Sequence, residues 1–286
     1  MRVLLLLLAF TLAACAEGGL NTVEVTETES RTLTLDGREL AFDGFAGNVS
    51  VVAVPNLDVT EVEFTKRARG ATESQANARL GAIRLNESGD DALYQYVWRT
   101  DDDGEASVDA DVRVPLTANV VVIVESGEIT ANGLSGPFTA ETGAGEIRAE
   151  HLRSARVRLQ SGAGGITAGA AFIPREGDWR IESGSGDVTL RLPPTASVRV
   201  EAESGAGSLD LDPQLTFANV RQSGGPAGVD FRARLGEGDA RVRATTGAGD
   251  VEVLRYTPPA PESEAARETA PVLPDTTRPD SVGADA

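Results

Sequence analysis

The sequence predicts an all-β protein, a single-stranded β-helix or solenoid-like roll with an irregular N-terminal β part that carries one short helix. Three observations carry this. From Asn119 onward a Ser/Thr-Gly pair recurs, at Ser126-Gly127, Thr142-Gly143, Ser161-Gly162, Ser183-Gly184, Ser204-Gly205, Ser223-Gly224 and Thr246-Gly247. Successive glycines lie 16, 19, 22, 21, 19 and 23 residues apart, which suits one winding per pair. Runs of alternating apolar and polar residues flank each pair, as in strands with one face inward.

From the N-terminus, Arg2 precedes an apolar run, Val3 to Leu12, too short to span a bilayer. Leu12-Ala13-Ala14-Cys15 follows and resembles the lipobox of bacterial lipoproteins, in which cleavage before Cys15 frees a residue that carries lipid. The alternative is an ordinary secretory signal ahead of a chance cysteine. Cys15 is the only cysteine and lies where a lipobox needs it, so on this reading it is neither a disulfide partner nor a nucleophile. The resemblance implies a signal peptide over 1–14, a membrane partner engaged through acyl chains such as palmitate on Cys15, and, with Ala16 rather than Asp next, sorting to the outer membrane. Several chains anchor far more firmly than one.

Residues 15–30 are polar and read as a tether, and 31–116 as the N-terminal part of the body. There Arg31–Phe42, Val49–Val54, Val59–Thr65, Ala92–Arg99 and Ala106–Val114 read as strands. Thr72–Leu80 is the helix, capped by Thr72 and ended by Gly81. Asp101-Asp102-Asp103-Gly104 reads as a hairpin turn, because it lacks the spaced oxygens and closing Glu of a calcium loop.

Residues 117–256 hold the repeats. Apolar residues alternate before each turn (Val122, Val124; Val157, Leu159; Val198, Val200, Ala202) and after it (Ile147, Ala149; Val188, Leu190, Leu192; Val251, Val253). The Ser or Thr of most turns keeps the inward parity of its strand, as Ser161 does after Leu159 and Ser204 after Ala202. These hydroxyls are expected to stack at one corner and bond turn backbone. The glycines supply backbone angles that other residues adopt only at a cost. Ser223 breaks the parity, so a distorted rung is expected there. Residues 257–286 hold six prolines and six acids against two arginines and read as a disordered acidic tail. The N-terminal part is expected to cover one sheet edge, and the tail to discourage pairing at the other.

Gly47-Asn48-Val49-Ser50-Val51, Val112-Arg113-Val114-Pro115 and the turns Thr142 to Ile147, Ser183 to Val188 and Thr246 to Val251 together resemble the bacterial putative-adhesin family of β-strand repeats, a domain of unknown function, over about residues 40–256. The resemblance implies an exported, envelope-attached β-roll. Ser126-Gly127-Glu128-Ile129, without the middle Ala-Gly pair, and Ser223-Gly224-Gly225-Pro226 depart from the pattern.

Chemistry is sparse. A net charge of −18 disfavours nucleic acid, and the 5% aromatic content is too low for a stacking platform. His151, the only histidine, reads as a surface residue, and zinc lacks ligands. No cofactor is expected. Before the turns, Glu125, Glu141, Gln160, Glu182, Glu203 and Gln222 form one outward row beside Arg158, Arg180, Glu201 and Arg243. That row reads as a solvated surface, with a ladder for Ca²⁺ or a cationic partner as the sharper alternative. Asp210 with Asp212, or Asp187 with Asp250, could serve a polysaccharide-acting enzyme. The leading reading is a non-catalytic, lipid-anchored envelope module that binds a glycan or an envelope protein. The alternatives are that enzyme and a structural accessory without a ligand. An exposed aromatic patch would favour binding; Trp98 is a candidate, whereas Trp179 shares the parity of core Ile181.

Overall fold

The structure is a computed structural model and describes residues 22–101, 105–225 and 228–256. The signal peptide, Cys15, the tail and residues Asp102, Asp103, Gly104 and Pro226 lie outside the described residues.

The chain begins with β1 (Val23–Leu33), β2 (Glu39–Ala46), β3 (Val49–Val54) and β4 (Thr60–Gly70), followed by α1 (Glu73–Ala82), β5 (Arg84–Gly89), β6 (Leu93–Arg99) and β7 (Ala106–Pro115). The repeats supply β8 (Asn119–Ser126) with β9 (Ile129–Asn132), β10 (Phe138–Ala144) with β11 (Ile147–Leu152), and β12 (Arg156–Ala163) with β13 (Ile166–Ala170). Then come β14 (Asp178–Ser185) with β15 (Val188–Leu192), and β16 (Val198–Ser204) with β17 (Leu209–Leu211). Last are β18 (Phe217–Gly225), β19 (Gly228–Leu235), β20 (Ala240–Ala248) and β21 (Val251–Arg255).

Among the described residues the strands form two sheets, of ten and eleven strands. Each coil places one strand in each sheet, and neighbouring coils pair in parallel. Inward residues therefore stack from coil to coil: Phe42, Val122, Ala140, Leu159, Ile181, Ala244 and Ala202 share one register row. All seven are buried, and large and small side chains mix along the row, so the layers interlock.

The threading differs from a simple winding. From one end to the other the coils run β6–β7, β2–β3, β8–β9, β10–β11, β12–β13, β14–β15, β20–β21, β16–β17. The middle follows chain order, and each end swaps its last two coils. At the far end the chain leaves a gap after β15, builds β16–β17 beyond it, adds β18 and β19, and returns to fill the gap with β20–β21. The turns after residue 119 are therefore not all successive windings in space.

The ends are closed differently. At the first, antiparallel β4 and β1 extend one sheet and β5 the other. Helix α1 lies against β4 and β1 with Ala76 and Leu80 buried. Phe42, Phe64, Tyr96 and Trp98 fill the interior there, with ring centroids 4.9–6.5 Å apart. At the other end one sheet stops at β17, while antiparallel β19 and β18 extend its partner.

Several expectations change. Residues 23–30, read as tether, belong to β1, whose partner β4 pairs along its whole length. The expected strand Arg31–Phe42 is broken at Asp36 and Gly37, both at positive φ. Gly81 does not end the helix, which runs through Ala82 before the Ile83 N–H bonds to Leu80 O. The N-terminal part is less irregular than expected, since it contributes two full coils. Ser223 lies on an exposed edge strand outside the stack of coils, and the distortion expected there is a register shift between Ala218 and Arg221. Trp98 is fully buried and cannot present a binding surface. Parity alone did not say which face of β6 looks inward; Gly44, whose added Cβ would fall 2.0 Å from the indole, makes the room.

Candidate functional site

The repeated corner is the most ordered polar feature. Thr142 Oγ1 donates to Gly127 O at 3.2 Å, Ser161 Oγ to Gly145 O at 2.9 Å, and Ser183 Oγ to Gly164 O at 3.0 Å. Thr246 Oγ1 donates to Gly186 O at 2.8 Å, and Ser204 Oγ to Gly249 O at 2.7 Å. All five hydroxyl residues are buried. The ladder follows spatial order, with Thr246 between Ser183 and Ser204. Each bond satisfies the carbonyl of a glycine in a turn, where no strand partner is available.

The glycines beside these hydroxyls, Gly143, Gly162, Gly184, Gly205 and Gly247, run against the backbone of the neighbouring turn. A Cβ on Gly162 would lie 2.5 Å from Gly143 O. The second glycine is tighter still in the turns of Gly145, Gly164, Gly207 and Gly249. Gly145 has φ +151, and its Cβ would meet Gly127 O at 2.0 Å. Both the dihedral and the contact demand glycine there.

Ser126 and Gly127 are placed differently from the others. Val124 pairs with Thr142 and Ser126 with Ala144, so Val124 takes the inward slot and Ser126 is exposed. Gly127 matches the second glycine, Gly145, rather than Gly143. The missing Ala-Gly pair was thus a shift in alignment by two residues.

A second ladder was missed by sequence reasoning. Asp109 Oδ1 accepts from Asn48 N, and Asn48 Oδ1 from Glu128 N. Asp187 Oδ1 accepts from Asp250 N, and Asp250 Oδ1 from Ser208 N at 2.7 Å. Each side chain caps the amide of the next coil, opposite in direction to the hydroxyls. The Ser208 amide and hydroxyl hold the Asp250 carboxyl below the usual range. For Asn48, Asp187 and Asp250 the signal was present as the Asn or Asp directly after the second glycine; Asp109, which follows Val108, carried none. Asp187 and Asp250, weighed as enzyme acids, are engaged in this way. Asp212 likewise accepts from Gln214 N and Arg255 N.

His151 sits at φ +58 with its ring edge-on to Tyr256, and its buried Nδ1 has no hydrogen-bond partner. Among the described residues no group of three or more His, Cys, Asp and Glu is placed to hold a metal. The expected carboxylate row is interrupted. Ile123, not Glu125, pairs with Glu141; Thr245 separates Glu182 from Glu203; Gln222 lies opposite Phe231 on the edge hairpin. The expected arginine row is continuous through Arg158, Arg180, Arg243 and Glu201. It extends to Arg232 and Arg221, and a parallel row holds Arg241, Arg199 and Arg234.

Among solved structures the chain is similar to a putative cell adhesion protein from Clostridium sporogenes ATCC 15579, at 11% identity and TM-score 0.42, covering 81% of this chain and 100% of that one. It is similar to a putative adhesin from Bacteroides fragilis NCTC 9343, at 13% identity and TM-score 0.42, covering 79% and 97%. A putative lipid binding protein from Parabacteroides distasonis ATCC 8503 is similar at 7% identity and TM-score 0.30, covering 80% and 97%. No curated protein matches the chain. Residues 21–254 match the Toastrack DUF4097 family, and the chain belongs to that family.

Proposed function

We propose that this Toastrack protein is a non-catalytic, lipid-tethered module of the cell envelope that presents a rigid sheet face to a ligand. Leu12-Ala13-Ala14-Cys15 supports the tether, and Ala16 in place of Asp supports the outer-membrane placement. The repeat hydroxyls and the Asp187 and Asp250 carboxylates bond to backbone, which leaves them poorly placed as nucleophile or general acid. One observation favours ligand binding over a purely structural role. The outward face of β12, β14, β20, β16, β19 and β18 carries nine arginines (156, 158, 180, 199, 221, 232, 234, 241 and 243) against five carboxylates, in a chain of net charge −18. The exposed large apolar residues Val52, Leu116, Ile123, Phe172 and Val220 are scattered, so charge rather than apolar contact is the natural means of recognition.

The test is metabolic labelling with a palmitate analogue, followed by fractionation and protease shaving of intact cells. The reading expects label on the wild type in the outer-membrane fraction, and none on Cys15→Ser, which should be released from the membrane. A labelled or membrane-retained Cys15→Ser variant would refute the tether. Cleavage of surface-exposed protein would place the ligand outside the cell, and protection would place it in the periplasm.

A further inference from the structure

We infer that the C-terminal end of the eleven-stranded sheet carries a site for a small, soluble phosphate monoester. Arg199, Arg221, Arg232 and Arg234, with Asn219 and Val220, line an open hollow of about 580 Å³ on the outward face. The arginines are forced together by strand register. Arg199 lies directly opposite Arg234 across β16 and β19, and Arg221 directly opposite Arg232 across β18 and β19. Arg241 adjoins Arg199 on the other side. Like charges placed directly opposite destabilise a sheet, so this register works against stability unless an anion joins it.

Within the hollow Arg232 pairs with Asp230 at 3.2 Å. Among the described residues no ion pair engages Arg199, Arg221 or Arg234. Arg234 is held instead by a neutral group. Asn219 sits at φ +54 in the irregular stretch of β18 between Ala218 and Arg221. The guanidinium offers only donors, so the Asn219 amide is assigned with its oxygen rather than its nitrogen toward it, and in that orientation it accepts from Nη2 at 2.5 Å and Nε at 2.9 Å. Asn219 thus orients the charge without neutralising it, as a recognition site requires.

Three uncompensated guanidiniums call for more than one negative charge. A phosphate monoester carries about −1.5 to −2 and matches the guanidinium fork, whereas a carboxylate brings only one charge. The hollow has no aromatic lining, which argues against stacked nucleobases. The rest of the acidic surface would repel a long polyanion, while a compact ligand feels chiefly the local arginines within a Debye length of about 10 Å.

The inference deepens the binding-module reading and rests on it only for the envelope setting. The two fail separately, because loss of labelling at Cys15 does not touch binding by purified chain. The experiment is calorimetric titration of the full chain with glucose 6-phosphate. Saturable binding is expected that weakens with salt and falls about tenfold or more in the Arg199→Gln/Arg234→Gln double variant. Arg113→Gln, on the opposite sheet, should bind like the wild type. The double variant should melt no lower than the wild type, since it removes opposed charges; a lower melting temperature would contradict the account of strained register. Absence of binding, equal binding of uncharged glucose, or binding that survives the double variant would overturn the site. Equally tight inorganic phosphate would overturn the monoester assignment. A response to phosphatidate-containing vesicles alone would overturn it in favour of a membrane surface.

Discussion

The two ends of the roll solve one problem in opposite ways. Each must close a stack of parallel coils whose last strands would otherwise offer unpaired backbone. The N-terminal end closes with apolar bulk: four buried aromatic rings, α1 and antiparallel strands on both sheets. The C-terminal end closes only one sheet, with a hairpin whose outer strand β18 is exposed almost throughout. Its inner strand buries Phe231, Ala233 and Leu235 but turns Arg232 and Arg234 outward. A closure that does not need to be dry can carry charge, and this one does. Apolar closure is thereby concentrated at one end and exposed positive charge at the other.

Four experiments would break or sharpen that contrast, beginning with the largest effect. Ending the chain at Asp239 removes β20–β21 from the interior of both sheets, including buried Val242, Ala244, Val251 and Val253. Hydrogen exchange should then show loss of protection throughout β16–β19, with β8–β13 retained. Deleting β1, an edge strand, should affect only β4 and α1. If both truncations lose protection equally, the coils do not behave as separable units.

Single substitutions come next. Trp98→Ala should cost about 3–5 kcal/mol in urea denaturation, against about 1–2 kcal/mol for half-buried Phe217→Ala at the other end. Equal costs would remove the proposed asymmetry. Gly164→Ala, at φ +142 with Gly145 O 2.1 Å from the added Cβ, should cost at least about 2 kcal/mol. Gly225→Ala on the edge hairpin meets nothing within 4 Å and should stay within about 0.5 kcal/mol.

The smallest effect is one of pH. Burial tends to raise the Glu29 carboxyl, but hydrogen bonds and charge from Lys66 and Arg31 outweigh it and hold the group below its usual range. A depressed carboxylate contributes stability that is present above its unfolded value of about 4.3 and lost as pH falls through the folded value. Acidification across that window should loosen β1 and β4 by hydrogen exchange, and Glu29→Gln should flatten the response. An unchanged acid response in the variant would show that other carboxylates govern this end.

The hydroxyl ladder was legible because most of the later coils repeat one local chemistry, an inward hydroxyl followed by glycines. Spatial order was not. The 20-residue spacing says how long a coil is, not which coil lies beside it, and nothing local marks Ala240–Arg255 as an insertion. The parity break at Ser223 flagged the place without the reason. The arginine hollow was equally hidden. Arg158, Arg180 and Arg243 share a position relative to their turns, so the pattern exposed them. Arg199, Arg221, Arg232 and Arg234 meet only through antiparallel pairing that the repeat does not encode. The burial of Trp98 depended on Gly44, fifty-four residues earlier.

Threading at the C-terminal end is the claim on which both the closure and the hollow depend, and disulfide trapping tests it directly. Arg180 on β14 is the register partner of Arg243 on β20, which in turn partners Glu201 on β16. Neighbouring strands lie about 4.8 Å apart, within the roughly 4.4–6.8 Å between Cα atoms that a disulfide spans, whereas strands two steps apart do not qualify. With Cys15 replaced by Ser, Arg180→Cys/Arg243→Cys should cross-link on mild oxidation, and Arg180→Cys/Glu201→Cys should not. The reverse pattern would mean that the coils wind in chain order and would contradict the structure described.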